Sequence, residues 1–278
     1  MSEPFVQHFN QALTIPSWTS LNSSLVTGFT TKVGGVSEGD YTSLNMGLHV
    51  DDLEESVRRN KEILADSLRF PTSRWIGCEQ VHEAGIEKVD ENFIGKGVTS
   101  YENALPETDG LYTDKKDILL TLCFADCVPI YFYSPEHSLI GLAHAGWKGT
   151  VKNIGPKMVE RWKAEGVDSS EILVAIGPSI SPEAYVVDDY VLDKVKSVFS
   201  PSKISDVHKE VAKGQYRLDL KKINKQLLLD AGVKDSNIIC SSFCTSSEDK
   251  LFFSHRRDKG KTGRMMSFIG MKGVQNNE

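Results

Sequence analysis

Three short stretches of this chain carry side chains able to bind a metal or act as nucleophiles: "QVHEAG" with His82, "ADCVPIYF" with Cys127, and "LAHAGWKGT" with His144. Each lies where an apolar, strand-like run meets a break. His82 precedes Gly85 and His144 precedes Gly146. Cys127 precedes Pro129, a residue that sheets accept only at edges or bulges. Imidazole and thiolate are zinc ligands, and three of them leave a fourth position open, as catalytic rather than structural zinc requires. Each residue also has a plainer reading. A histidine at a strand end serves as a hydrogen-bonded surface group, and a cysteine in an apolar run as an inert small hydrophobe. On the residues alone both readings stand.

A four-cysteine site is the obvious rival, from Cys123 and Cys127 with Cys240 and Cys244. Both pairs fall in strand-like sequence, where four residues span roughly 13 Å. Ligands with metal–sulfur bonds of about 2.3 Å cannot share an ion across that distance. The total of five cysteines is odd, and "MSEPFVQHFN" lacks the basic-then-apolar order of a secretory signal. Reduced thiols and a cytoplasmic setting are therefore expected. The longest apolar stretch, "ILLTLCFADCVPIYFY", is interrupted by Asp126 and is too short for a membrane span. A net charge of −6 offers no footprint for nucleic acid, although a local basic patch can still bind phosphate.

The elements that must position these residues can be read from periodicity. A helix is expected near 52–70, capped by Asp51 or Asp52, with Glu54 and Glu55 in its first turn. Leu53, Val57, Leu64 and Leu68 would form its apolar face, and Pro71 stops it. "SRWIGCEQVHEAGIEKVD" reads as a strand and its return, and residues 109–146 as three strands. A helix should begin near Gly155-Pro156, and others near 188–199 and 219–231, the last with Leu220, Ile223, Leu227 and Leu228 inward. "EILVAIGPSI", "NIICSSFCT", "LFFSHRR" and "GRMMSFIGM" read as further strands. Strands and helices interleave irregularly, which predicts a mixed-sheet α/β protein. The long loop "TTKVGGVSEGDYTSLNMGLHVDD" is of the kind that carries function.

"QVH", "ADCVPIYF" and "HAGWKGT", followed by "IGPSI", "LDL", "CT" and "FFSHRRDKGKTGR", resemble in that order the YfiH/YlmD-type family. Its members have been called laccase-domain proteins, purine nucleoside phosphorylases and peptidoglycan editing factors, and the chain looks like a bacterial YlmD-like member. The likeness runs from "GFTTKVGGVS" and "SLNMGLHV" to the last strand. It implies a four-layer α-β-β-α sandwich with mixed sheets, one domain over residues 1–278, and a metal site formed by His82, Cys127 and His144. Lys32 stands where the family commonly has arginine, Glu83 where it often has glycine, and "SPEAYVV" lacks a cysteine that many members carry. None of these touches an implied ligand.

The family's labels can be weighed against the residues. A laccase needs many histidines, commonly in His-x-His pairs, but this chain has seven and no two are separated by one residue. Polyphenol oxidation is not expected, although a His₂Cys site would accept copper adventitiously in place of zinc. The resemblance implies phosphorolysis of adenosine, inosine or methylthioadenosine to free base and ribose 1-phosphate. Deamination of adenosine at the zinc site is the expected side reaction. Expected holders of phosphate and substrate are Ser43, Asn45, Lys148, Arg256 and Arg257, with backbone N–H groups of the Gly146–Thr150 turn. Asp126 is the candidate acid or orienting group beside Cys127, and Trp147 a candidate platform for a base. The rival reading is a metal-free Cys127–His144 dyad that cleaves an amide in peptidoglycan precursors.

Overall fold

The computed structural model describes residues 3–199 and 203–273. One six-stranded sheet runs β1 (Val6–Phe9), β2 (Ala12–Thr14), β3 (Leu25–Thr30), β15 (Met265–Met271), β7 (Leu119–Phe124) and β4 (Trp75–Ile76). The second runs β14 (Ile238–Cys240), β10 (Leu173–Ile176), β8 (Val128–Ser134), β9 (Leu139–Ala145), β6 (Gly110–Thr113) and β5 (Ile86–Lys88). A small third sheet holds β11 (Val186–Asp188), β13 (Gln215–Leu218) and β12 (His208–Ala212). Parallel pairs at β4–β7, β5–β6 and β10–β14 stand beside antiparallel ones, so both large sheets are mixed.

Side-chain alternation builds the layers. On β8, Val128, Ile130 and Phe132 face helices, whereas Tyr131 and Tyr133 face the other large sheet. On β7, Leu120, Leu122 and Phe124 point into the same inter-sheet core, and Leu119 points to the opposite face. Strands covered on both sides need no polar face, which is why β8, β9 and β15 are buried throughout. Helix α2 (Glu54–Leu68) covers the outside of the first sheet with Leu64, Ala65 and Leu68. Outside the second lie α3 (Trp147–Val151), α4 (Ile154–Ala164), α5 (Asp189–Lys196) and α6 (Leu220–Asp230), with Met158, Trp162, Ile223 and Leu228 inward. A short α1 (Pro16–Thr19) precedes β3. The result is the expected α-β-β-α sandwich.

Several local expectations change. Helix α2 starts at Glu54, one residue after Leu53, which is 75% exposed rather than part of the apolar face. The Asp52 carboxylate accepts from Ser37 Oγ and Asn45 Nδ2, so it anchors the long loop instead of capping α2 by the usual reach into its first turn. "LFFSHRR" is not a strand. Its backbone closes on itself through Asp258 N–H to Ser254 O and Gly260 N–H to His255 O. The expected strand and return around His82 reduce to β4 and β5, which belong to different sheets. Among the described residues no helix is long and apolar enough to cross a membrane.

Candidate metal centre and its cavity

Of the chain segments that cross from one large sheet to the other, two deliver candidate ligands. The first, between β4 and β5, carries His82 with a left-handed backbone (φ 60°). The second, between β7 and β8, is Ala125–Cys127 and carries Cys127. His144 comes from β9, where it pairs across to Pro129 of β8. The three ligand atoms lie within 4.8 Å of one another. Exposure is graded: His144 is buried, Cys127 half-buried and His82 exposed. Two imidazoles and a thiol so placed form a donor set that suits a borderline-soft divalent ion with one side open. Gly146 keeps the space clear, since a Cβ there would stand 2.8 Å from Cys127 Sγ and 3.4 Å from His82 Cδ2.

Asp109, immediately before β6, holds two of the ligands. Its fully buried carboxylate accepts from the backbone N–H groups of Val81, His82 and Glu83 and from His144 Nδ1 at 2.8 Å. An ionised carboxylate only accepts, so Nδ1 carries the proton and Nε2 is left as the ligand atom. Gln80 fastens the same loop to β7 by exchanging hydrogen bonds with the backbone of Cys123. The sequence reading missed both residues. Asp109-Gly110 looks like any turn before a strand, and only the fold shows what it faces.

Asp126 lies beside Cys127 with φ 87°. Its carboxylate accepts from Thr245 Oγ1 (2.6 Å), Ser254 Oγ (3.0 Å) and the Arg256 N–H (2.7 Å). With both oxygens occupied by donors, it ties the crossing segment to two distant loops. That geometry favours the orienting role over the acid role.

The charges within the cluster are coupled. Burial pushes the Cys127 thiol up, but the charge and hydrogen bond of His144, with a hydrogen bond from His82, outweigh it and bring it down to about 6. Burial lowers His144, while the Cys127 charge and the hydrogen bond to Asp109 lift it to about 9. Burial raises Asp109, and its bonds to His144 and to the Glu83 and His82 backbone return it below the usual carboxylate range. The metal-free cluster is therefore a thiolate–imidazolium pair.

Above the cluster opens a cavity of about 370 Å³, within the range of roughly 300–1,000 Å³ that small-molecule sites occupy. Its walls include His49, Tyr101, Trp147, Tyr185, Arg256 and Arg264. Of the expected phosphate and substrate residues, the fold brings Arg256 here. Its Nη1 donates to Val186 O, and its guanidinium stacks over Tyr185 with 5.0 Å to the ring centroid. Lys148 is exposed on α3, where its Nζ lies over the Trp147 ring.

Ser43, Asn45 and Arg257 are not brought to this cavity. Ser43 Oγ accepts from the N–H groups of Gly34 and Gly35 and lines a separate cleft with Arg257. Asn45 is fully buried and binds Gly47, Asp52 and the Arg264 N–H. Arg257 pairs through two nitrogens with Asp258 and donates to the Thr245 and Phe252 carbonyls. Their polar groups serve the loops around them. Arg264, which the sequence reading placed in the strand-like stretch "GRMMSFIGM" without a role, lines the cavity.

Comparison with known proteins agrees with this architecture. A family model described as multi-copper polyphenol oxidoreductase laccase matches residues 26–272. The chain is 48% identical over 273 residues to a Bacillus subtilis protein named purine nucleoside phosphorylase YlmD, covering 97% of this chain and 98% of that one. The crystal structure of YlmD from Geobacillus stearothermophilus superposes with a TM-score of 0.94 at 48% identity, over 98% of this chain and all of the other. The Bacillus licheniformis hypothetical protein YfiH gives 0.94 at 47% identity with the same coverage. With its fold and nearly its whole length shared in this way, the chain belongs to the YfiH/YlmD-type family.

Proposed function

We propose that this protein is a purine nucleoside phosphorylase that binds zinc through His82, Cys127 and His144 and deaminates adenosine as a slower side reaction. One observation carries the reading: the three-ligand cluster forms part of the wall of a cavity that also offers arginines and aromatic faces. Purine nucleoside phosphorylases among the relatives support the substrate class. Zinc, when bound, supplies Lewis acidity at the position its three ligands leave open.

The chain's own residues supply the rest. Trp147 and Tyr185 offer planar walls for a base. Arg256, in contact with Tyr185 and with its guanidinium only partly engaged, attracts phosphate. Asp109 fixes the His144 tautomer and the His82 loop, so the ligands need little reorganisation. Asp126 holds the Cys127 segment against the loop that carries Arg256.

Incubating metal-defined protein with adenosine, with and without phosphate, tests the proposal. Adenine should form only with phosphate, and inosine slowly in either case. Base release without phosphate, or in the Cys127→Ala protein, overturns it. The thiolate–imidazolium pair favours a second reading, a metal-free hydrolase of amides. Cleavage of a muropeptide amide by chelator-treated protein, with inactivation by iodoacetamide at Cys127, would establish that reading instead.

A further inference from the structure

Two arginines reach the cavity, and their surroundings differ. Arg256 is exposed. Arg264 is half-buried, and among the described residues no carboxylate lies within ion-pair distance of it. Its Nη1 donates to Thr262 O (2.8 Å) and Gly263 O (3.1 Å), and both bonds use the same nitrogen. Among the described residues, Nε and Nη2 have no hydrogen-bond partner. These two N–H groups form one edge of the guanidinium plane, spaced to meet two oxygens of one oxyanion. Arg257 shows the contrast, because its Nε and Nη2 edge is closed by both oxygens of Asp258.

The approach of Arg264 is built into the backbone. A Cβ on Gly47 would stand 2.7 Å from Arg264 Cγ and 3.3 Å from His49 Cε1, so the absent side chain is what lets the arginine pass beside His49. The Arg264 backbone N–H is fixed by Asn45 Oδ1 at 2.8 Å. Arg264 lines the same cavity as His82, Asp126, Cys127 and His144. The Cys127 thiolate is committed to the cluster and the Asp126 carboxylate to three other donors. A neutral purine brings no charge to meet a half-buried cation, whereas an oxyanion does, and the pairing strengthens as water is excluded.

We infer that Arg264 holds the inorganic phosphate of the phosphorolysis reaction through its Nε–Nη2 edge, beside the metal centre. The inference rests on the phosphorylase reading above. In that reaction one phosphate oxygen forms a bond to C1′ of the ribose as the C1′–N9 bond breaks. The electron pair leaves with the purine, which takes up the proton that hydrogen phosphate gives up on becoming the ribose 1-phosphate ester. Arg264 orients the phosphate and offsets its charge, and Arg256 meets the anion nearer the surface.

Phosphate binding is measured first without nucleoside, by calorimetry with inorganic phosphate on zinc-loaded wild type, Arg264→Gln and Arg264→Lys. Kd should rise at least about tenfold in Arg264→Gln, and by less in Arg264→Lys, which keeps the charge but loses the two-donor edge. In turnover the Arg264→Gln protein should show the same rise in the phosphate KM, with the adenosine Kd changed less than about threefold. Phosphate affinity equal to wild type in Arg264→Gln overturns the assignment, as does a greater loss in Arg256→Gln. Adenosine 5′-monophosphate serves as the second arm: Arg264-dependent binding of the ester without binding of inorganic phosphate would also overturn it. Wild type that binds phosphate through Arg264 yet cleaves no nucleoside would leave the subsite standing and remove the phosphorylase reading.

Discussion

His144 is enclosed by Asp109 at its Nδ1 and its backbone N–H, by the Phe124 ring at 5.2 Å and by His82 at 4.7 Å. Trp147, three residues on, rests against Tyr190, which is 61% exposed, and beneath the exposed Lys148. The region around His82, Cys127 and His144 is fixed by buried groups whose partners lie far apart in the chain. The rim is held by aromatic and cation–π contacts open to water, worth only about 0.5–1 kcal/mol each. A buried carboxylate with four donors costs several times that to disrupt. The ligand geometry is therefore set by folding, whereas the rim can adapt to what enters.

The sharpest way to break this contrast is Cys127→Ala. Wild type should hold about one zinc per chain by mass spectrometry, and the variant none after dialysis. Retained stoichiometric zinc would show that the cluster is not the site. Acidity should act next most strongly. His144, lifted to about 9, must lose its proton to become a ligand, and Cys127, lowered to about 6, must also do so in more acidic solution. Protons thus compete with the ion, and zinc affinity should climb about tenfold per pH unit between 6 and 9 from this pair, more steeply below 6. Chelator competition across that range checks the slope, and a flat profile would refute the charge assignment.

Asp109→Asn keeps the shape and removes the charge. It should weaken zinc by about 10–100-fold and lower stability to urea by about 2–4 kcal/mol. Gly146→Ala adds one methyl against Cys127 Sγ and should cost about tenfold in zinc affinity with the circular dichroism unchanged. Lys148→Ala should do least: a change within about 0.5 kcal/mol in stability and less than about threefold in KM. A larger loss in Lys148→Ala than in Asp109→Asn would reverse the comparison.

The same division explains what was legible in the sequence. Cys127 and His144 stand out because an apolar run is interrupted by groups with chemistry. The β8 and β9 strands that support them are long and buried on both faces. His82 was found by its motif, but its expected strand end is a left-handed loop, since Asp109 captures its backbone from 27 residues away. Ser43, Asn45 and Arg257 lie away from the cavity; a polar side chain that serves its own loop looks, in sequence, like one that serves a ligand. Asp109 and Arg264 were underread for the converse reason: their partners are set by sheet order, not by neighbours.

Strand β15 lies between β3 and β7, in the middle of its sheet, although most of the chain separates it from β3. During synthesis both flanking strands emerge long before the one that joins them, leaving two open edges of the kind that chaperones shield. Arg264 is the residue immediately before that last strand. Its arrival and the closing of the sheet are thus one event. A nascent or clipped chain that stops short of β15 has neither a continuous first sheet nor a finished cavity wall, so this topology withholds the complete cavity until the scaffold is finished.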